Sequence, residues 1–208
     1  MPAPSAAAQS TKERILGAAE ELFARHGFEG ASLRQLTSAA GVNLAAVNYH
    51  FGSKDRLVEE VFRRRLDQLN GHRSTALAKV AGLPETTIED VLAAFIVPAL
   101  ELSHDAGGQL FMRVLVRAFA EDDDTLRKFL SDNYRHVMRM FTSEFARLLP
   151  HLTKEEVYWR VDLVTGALIH AMSGIGMIQR RSDVTEHEHR ELTAEHLISF
   201  SAAGLMAR

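Results

Sequence analysis

Leu33-Arg-Gln-Leu-Thr-Ser-Ala-Ala-Gly41-Val-Asn-Leu-Ala-Ala-Val-Asn-Tyr-His-Phe51 decides how the chain is read. Leu33, Leu36 and Ala40 recur at helical spacing and predict a short amphipathic helix. It stops at Gly41, the residue type best able to take the left-handed backbone of a tight turn. Asn43 is placed to cap a second short helix, with Val42 and Val47 set to pin it against Leu36 and Ala40. The outer surface of that helix then carries Leu44, Ala45, Ala46, Asn48, Tyr49 and His50. Two helices meeting at a glycine corner, the second small and mostly uncharged outside, form the pattern of a helix-turn-helix. Such a rod presses close to base edges in a ~12 Å major groove, while Asn48, Tyr49 and His50 bring donors suited to phosphate oxygens.

Upstream, Ile15, Leu16, Ala19, Leu22 and Phe23 line one face of a preceding helix, which makes a three-helix unit. Ser10-x-x-Glu13, Ser32-x-x-Gln35 and Thr153-x-x-Glu156 each fit a capping box, and Ser53 and Thr87 fit N-caps. Pro2, Pro4, Pro84 and Pro150 fall outside helical patterns; Pro98 falls inside one, where it should kink or end the helix. No stretch alternates with period two, so the expected fold is all-α. About nine helices are expected, near 11–26, 33–40, 44–50, 54–81, 88–103, 108–120, 124–149, 154–180 and 186–207. Residues 1–10 read as a disordered tail rather than a signal peptide, 11–53 as the helix-turn-helix domain, and 54–208 as a larger helical domain.

The chain of 208 residues carries Lys+Arg 24 against Asp+Glu 27 and no cysteine, which excludes disulfides and thiolate chemistry and suits a cytoplasmic location. The first 70 residues sum to +1 and the remainder to −4, so any nucleic-acid binding must come from local placement of charge. No segment reaches the ~20 apolar residues needed to span a membrane. Glu186-His-Glu-His-Arg190 is a solvated helix start rather than a metal site, because alternate helix positions point ~200° apart. Glu121–Asp124 reads as an acidic helix entry, and Gly174-x-Gly176 lacks the strand a nucleotide loop requires. Neither a catalytic motif nor a cofactor motif is present, which argues against an enzyme.

Thr11-Lys-Glu-Arg-Ile-Leu-x-Ala-Ala-x-x-Leu-Phe-Ala-x-x-Gly27-Phe28, the Gly41 turn, and Tyr49-His50-Phe51-x-Ser53-Lys54 together resemble the DNA-binding head of the TetR family of bacterial regulators. The resemblance covers about residues 10–62. It implies that Arg34 and the Leu44-Ala45-Ala46 stretch lie over bases, that Asn48, Tyr49, His50 and Lys54 hold the phosphate backbone, and that Asn43 belongs to the same DNA-binding set. Thr37 stands where many such units have Ala or Gly, which predicts tighter packing there. Val42-Asn-Leu-Ala-Ala-Val-Asn-Tyr-His-Phe-Gly-Ser-Lys54, then Phe111-Met-Arg113, Leu126-Arg-Lys-Phe-Leu130, Trp159-Arg160 and Met172-Ser-Gly174 are similar to the PsrA-type subgroup, which responds to fatty acids, with part of that likeness lying in the head.

The expectation is therefore a homodimeric regulator of palindromic DNA, a repressor released by an apolar effector such as a fatty acid or acyl-CoA. Phe111, Met112, Leu115, Met138, Trp159 and Met172 are the candidate effector contacts, and Arg113 and Arg117 could meet a carboxylate or phosphates. Gly166, Ala167, Ala171, Gly174 and the Ser201-Ala-Ala-Gly204 stretch suit close helix–helix approach across a twofold interface. The rival readings are a regulator with a different or no effector, and a helical hydrophobic-ligand carrier or enzyme that retains the head.

Overall fold

The computed structural model describes residues 10–102, 106–120, 124–173, 180 and 182–207. The side chains at 106, 113, 116–120 and 124–127 are not among those described, so Arg113 and Arg117 lie outside the described set, as do residues 121–123 and 174–179. The described residues form helices and connecting turns with no strand. The helices are α1 (Thr11–Gly30), α2 (Leu33–Ala40), α3 (Leu44–Phe51), α4 (Lys54–Ala78) and α5 (Ile88–Leu102), followed by α6 (Ala106–Ala120), α7 (Asp124–Leu148), α8 (Lys154–Met172) and α9 (Glu186–Met206).

Local signals set most boundaries. Ser10, Ser32, Asn43, Ser53, Thr153 and Thr185 cap their helices, each accepting a hydrogen bond from the backbone N–H three residues on. Thr87 and Asp90 make the same reciprocal pair at the start of α5. At Gly27 the backbone leaves the helical region (φ 75°, ψ 177°), and helical geometry then resumes to Gly30. That break turns Phe28 inward, with its ring 5.3 Å from Phe23 and 6.0 Å from Phe62. The expected end of the first helix at residue 26 is thus a kink rather than a terminus. Helix α4 stops at Ala78, short of the expected residue 81, and α5 runs through Pro98.

Helices α1, α2 and α3 close over Ile15, Leu16, Ala19, Phe23, Leu36, Ala40, Val47 and Phe51. This small core is continuous with the rest of the molecule through Leu57, Val61 and Phe62 of α4. Helix α1 packs on α4 and α6, while α5 packs on α4, α7 and α9. Helix α5 is buried almost all round, so it forms the axis of the larger helical body. Arg160 of α8 ties down the end of α9, its Nη1 donating to the Leu205 and Ala207 carbonyls at 2.8 and 2.6 Å.

Candidate nucleic-acid interface

The turn between α2 and α3 is built from backbone. Gly41 sits at φ 61°, ψ 41°. The Val42 N–H donates to the Thr37 carbonyl at 3.0 Å and the Gly41 N–H to the Ser38 carbonyl at 3.3 Å. This paired arrangement satisfies the last carbonyls of α2 and needs the left-handed residue at Gly41. Arg14 of α1 then staples the corner, its Nη2 donating to the Ala40 and Gly41 carbonyls at 2.6 and 2.8 Å. The Thr37 hydroxyl donates to the Arg34 carbonyl at 3.0 Å, so the hydroxyl is satisfied within its own helix.

Helix α3 is fixed from one side only. Asn43 Oδ1 accepts from the Ala46 N–H at 2.9 Å, and Val47 and Phe51, one turn apart, are its buried residues. Leu44, Ala45, Asn48, Tyr49 and His50 are exposed, and Ala46 is half-buried. Tyr49 is 85% exposed, with its ring edge-on to His50 at 5.2 Å. His50 in turn lies 6.1 Å from Phe51, so aromatic contacts order the outer ring pair. Arg34 is exposed on α2, and among the described residues its side chain has no hydrogen-bond or ion-pair partner. Lys54, in the first turn of α4, reaches the Glu29 carbonyl at 3.5 Å. Residues 30–54 contain no Asp or Glu, and Arg34 and Lys54 are the cations of that stretch, with Glu29 and Asp55 flanking it. The structure thus gathers all nine predicted DNA contacts on the α2–α3 corner and the start of α4.

The predicted effector residues are not gathered in this way. Phe111 and Met112 are buried in the core, Phe111 against the Phe62 ring at 5.6 Å. Leu115 and Met172 are half-buried. Met138 lines an open groove of about 800 Å³ between α7 and α8, with Arg135, Arg139, Lys154, Val157 and Tyr158 around it. Trp159 is 62% exposed on the outer side of α8, so an enclosed chamber does not include it. An apolar residue type signals burial without saying against what, so the six candidates fall in a core, a groove and an outer helix face. Arg14 and the buried Glu20–Arg65 pair (3.4 Å) were missed as structural links of the head, since their partners lie 26 and 45 residues away.

A family model described as "Tetracyclin repressor-like, C-terminal domain" matches residues 93–204, and one described as "Bacterial regulatory proteins, tetR family" matches residues 15–61. The chain belongs to the TetR family. TetR membership makes it a DNA-binding transcriptional regulator and not an enzyme. It is similar to the probable transcriptional regulator YttP of Bacillus subtilis (strain 168), 23% identical over 147 residues that cover 69% of each chain. It is also similar to the transcriptional repressor KstR2 of Rhodococcus jostii (strain RHA1), 30% identical over 95 residues, and spans about half of that relative's length (46%). A TetR-like transcriptional regulator from Rhodococcus sp. RHA1 shares the fold, with a TM-score of 0.66 at 18% identity over 98% of this chain and 100% of that one. No described helix is long and apolar enough to cross a membrane.

Proposed function

We propose that this TetR regulator is a cytoplasmic homodimeric repressor that grips a palindromic duplex through α3 and lets go when an apolar effector binds the helical body. One observation carries the reading: α3 is held rigidly by Asn43, Val47 and Phe51 while its opposite side stands open, small and free of acidic residues. Arg34, Leu44, Ala45 and Ala46 are assigned to base edges, Asn48, Tyr49, His50 and Lys54 to phosphates, and Asn43 to the DNA-facing start of α3 that it caps. Leu44, Ala45 and Ala46 offer methyl contacts but no hydrogen bonds, so part of the specificity comes from duplex shape. Residues 11–53 act as the head, with α4 as the lever that joins it to the body.

The exposed face shared by α8 and α9 supports the dimer. Trp159 and Leu163 on α8, and Leu192 and Phe200 on α9, are exposed large apolar residues, with Phe200 74% exposed. Among the described residues, no atom beyond their own helices' backbone lies within 4 Å of where a Cβ would stand on Gly166 or Gly204, so these glycines leave room for a helix from outside. A second copy supplies that helix and sets two heads ~34–36 Å apart, as a palindrome requires. Trp159 is accordingly assigned to this face rather than to the effector. The effector class, a fatty acid or acyl-CoA, follows the PsrA-type resemblance and the Phe- and Met-rich body around Phe95, Phe111, Met138 and Phe141.

The test is fluorescence anisotropy on a palindromic duplex selected from a random pool. Affinity is expected to fall steeply with salt. Arg34→Ala should relax preference at one operator position, and Lys54→Ala should weaken every sequence about equally. Binding that ignores salt and sequence would refute the DNA reading; long-chain acyl species that leave operator affinity unchanged would remove the effector.

A further inference from the structure

The open groove between α7 and α8 is basic along its rim and apolar at its floor. Arg135 and Arg139 stand on the α7 side and Lys154 on the α8 side, with no carboxylate among the described lining residues. Met138, Ala146 and Val157 form the floor with the Thr142 methyl, because the Thr142 hydroxyl turns back to the Met138 and Arg139 carbonyls at 2.9 and 3.2 Å. Arg135 and Arg139 stand one turn apart, a like-charge spacing that works against α7. Arg135 donates to the Ser131 hydroxyl, and Lys154 lies 5.9 Å from the Tyr158 ring centroid. Arg139 has no hydrogen-bond or ion-pair partner among the described residues. From Arg135 to Ala146 the groove runs about three turns, or ~16 Å. Its volume of about 800 Å³ therefore gives a cross-section of ~50 Å², which admits the side-chain ridge of a helix but not the whole rod.

The start of α9 carries the complement. Glu188, Glu191, Leu192 and Glu195 are all exposed and recur at helical spacing on one side of the helix. Glu188 closes the Thr185 cap through Oε2, Glu191 lies 3.3 Å from His187, and Glu195 has no partner among the described residues. Arg190 is engaged with His187 Nδ1 at 3.1 Å. Like charges again stand a turn apart, here acidic ones. One chain cannot bring its own two stripes together. Arg160, near the start of α8, holds the Leu205 and Ala207 carbonyls at the end of α9, so the two helices run antiparallel. The acidic start of α9 therefore lies ~20 Å along the helix axis from Tyr158 and the groove.

We infer that the α7–α8 groove seats the acidic start of α9 from a second copy of this chain, and that this charged contact fixes the register of the dimer. The inference rests on the homodimer reading above and deepens it. A twofold that sets the two α8 helices antiparallel runs the second copy's α9 parallel to α8. Its acidic start then overlies the groove, with Glu188 toward Lys154 and Glu195, two turns on, toward Arg139. Leu192 lies between them and meets the apolar floor. Trp159 and Leu163, next along α8, continue the contact into the exposed apolar face, which gives an apolar centre and a charged rim. The twofold makes the contact twice. Each stripe relieves the repulsion within the other, and a slipped register loses that match.

The experiment is sedimentation equilibrium of the full chain carrying Arg139→Glu or Glu195→Arg, each alone and then the two mixed. Both residues are exposed, so circular dichroism should show each variant folded. Alone, each should raise the dimer dissociation constant at least ~10-fold, because like charges then meet twice. Mixed, they should dimerise about as tightly as wild type, since every contact in the mixed pair again joins opposite charges. Lys128→Glu, which reverses an exposed α7 cation outside the groove, should leave the dimer unchanged. If neither single variant weakens the dimer, the groove assignment falls; monomers from Phe200→Glu would then leave the apolar face standing. Single variants that weaken the dimer and gain nothing on mixing overturn the α9 assignment, as does a Lys128→Glu effect equal to that of Arg139→Glu. A wild-type chain that stays monomeric overturns the homodimer reading as well. Should a variant not fold, the wild-type chain decides: its dimer should weaken between ~50 and ~500 mM sodium chloride, and a dimer that salt leaves unchanged or tightens refutes the charged contact.

Discussion

Replacing Gly41 with alanine tests whether the α2–α3 corner is held as the structure describes. At φ 61° an L side chain is strained by about 1–2 kcal/mol. A Cβ would also stand 2.9 Å from Arg14 Nη2, which must then leave the Ala40 and Gly41 carbonyls. Those bonds are charge-assisted but partly wet, so their loss adds about 1 kcal/mol. The total of about 2–3 kcal/mol corresponds to a midpoint lower by ~4–12 °C in a chain of this length. Thermal and urea unfolding followed by circular dichroism measure it, alongside operator binding. Gly41→Asn is the control, since Asn tolerates the left-handed region while carrying the same Cβ. It should cost clearly less than Gly41→Ala. In an Arg14→Ala background the cost of Gly41→Ala should shrink by about the 1 kcal/mol assigned to the displaced bonds. The reasoning is refuted if Gly41→Ala lies within about 0.5 kcal/mol of wild type, the range of an ordinary surface change. Equal costs for Ala and Asn would remove the backbone-strain part.

Glu144 accepts from Arg147 Nη2 and Nε at 2.7 and 3.0 Å and from the Gly82 N–H at 3.0 Å, and chiefly the Arg147 bonds hold its carboxyl below its ordinary 4.5. A depressed folded-state value means that its stabilisation is complete above 4.5 and is lost as pH falls through the folded value. Glu144→Gln should therefore cost about 1 kcal/mol at pH 7, with the gap to wild type closing under acid; a gap that stays constant down to pH 3 contradicts this. Phe200→Glu should leave the fold intact, because the residue is exposed in the single chain, yet halve the mass seen by sedimentation and weaken operator binding. Unchanged mass would show that α9 does not form the dimer.

The elements that the sequence made legible are those whose cause is local. Ser32 with Gln35, Asn43 and Ser53 act on neighbours three residues away, and each is found where its spacing predicts; Thr153 caps α8, but the predicted box stays open because Glu156 turns to Arg160. Gly41 is legible for the same reason. The departures have distant causes. Helix α1 continues past Gly27 because Phe28 returns to Phe23 and Phe62. Beyond Ala78 the chain is held off the helical path by contacts that spacing cannot show. The Gly82 N–H is taken by Glu144, 62 residues on. In the α3 region all predicted residues share one corner, because a short helix with two buried positions leaves the rest outside. The effector residues scatter, because Phe and Met serve a core, a groove and an interface equally well.

A signal from the body to α3 has a physical route, and it does not run through α4 alone. Helix α4 is bound to α1 along a shared seam: Lys12 to Glu60 at 3.0 Å, Glu13 to Arg64 at 3.0 Å, and Glu20 to Arg65 at 3.4 Å. The first two pairs are exposed and contribute ~0–1 kcal/mol each, so rigidity comes mainly from Leu57, Val61 and Phe62 packed beside them. The third pair is buried and incompletely made, with Glu20 Oε1 and Arg65 Nε both lacking a partner. Those are the two atoms that a two-point guanidinium–carboxylate contact would join. Gly107 of α6 leaves the space that the Arg65 fork occupies, so the body touches this joint directly. Any displacement of α4 therefore drags α1, and α1 carries Arg14, whose guanidinium holds the Gly41 corner. The head must move with α4 as one piece, and the distance between two heads, rather than the shape of either, is what an effector can change.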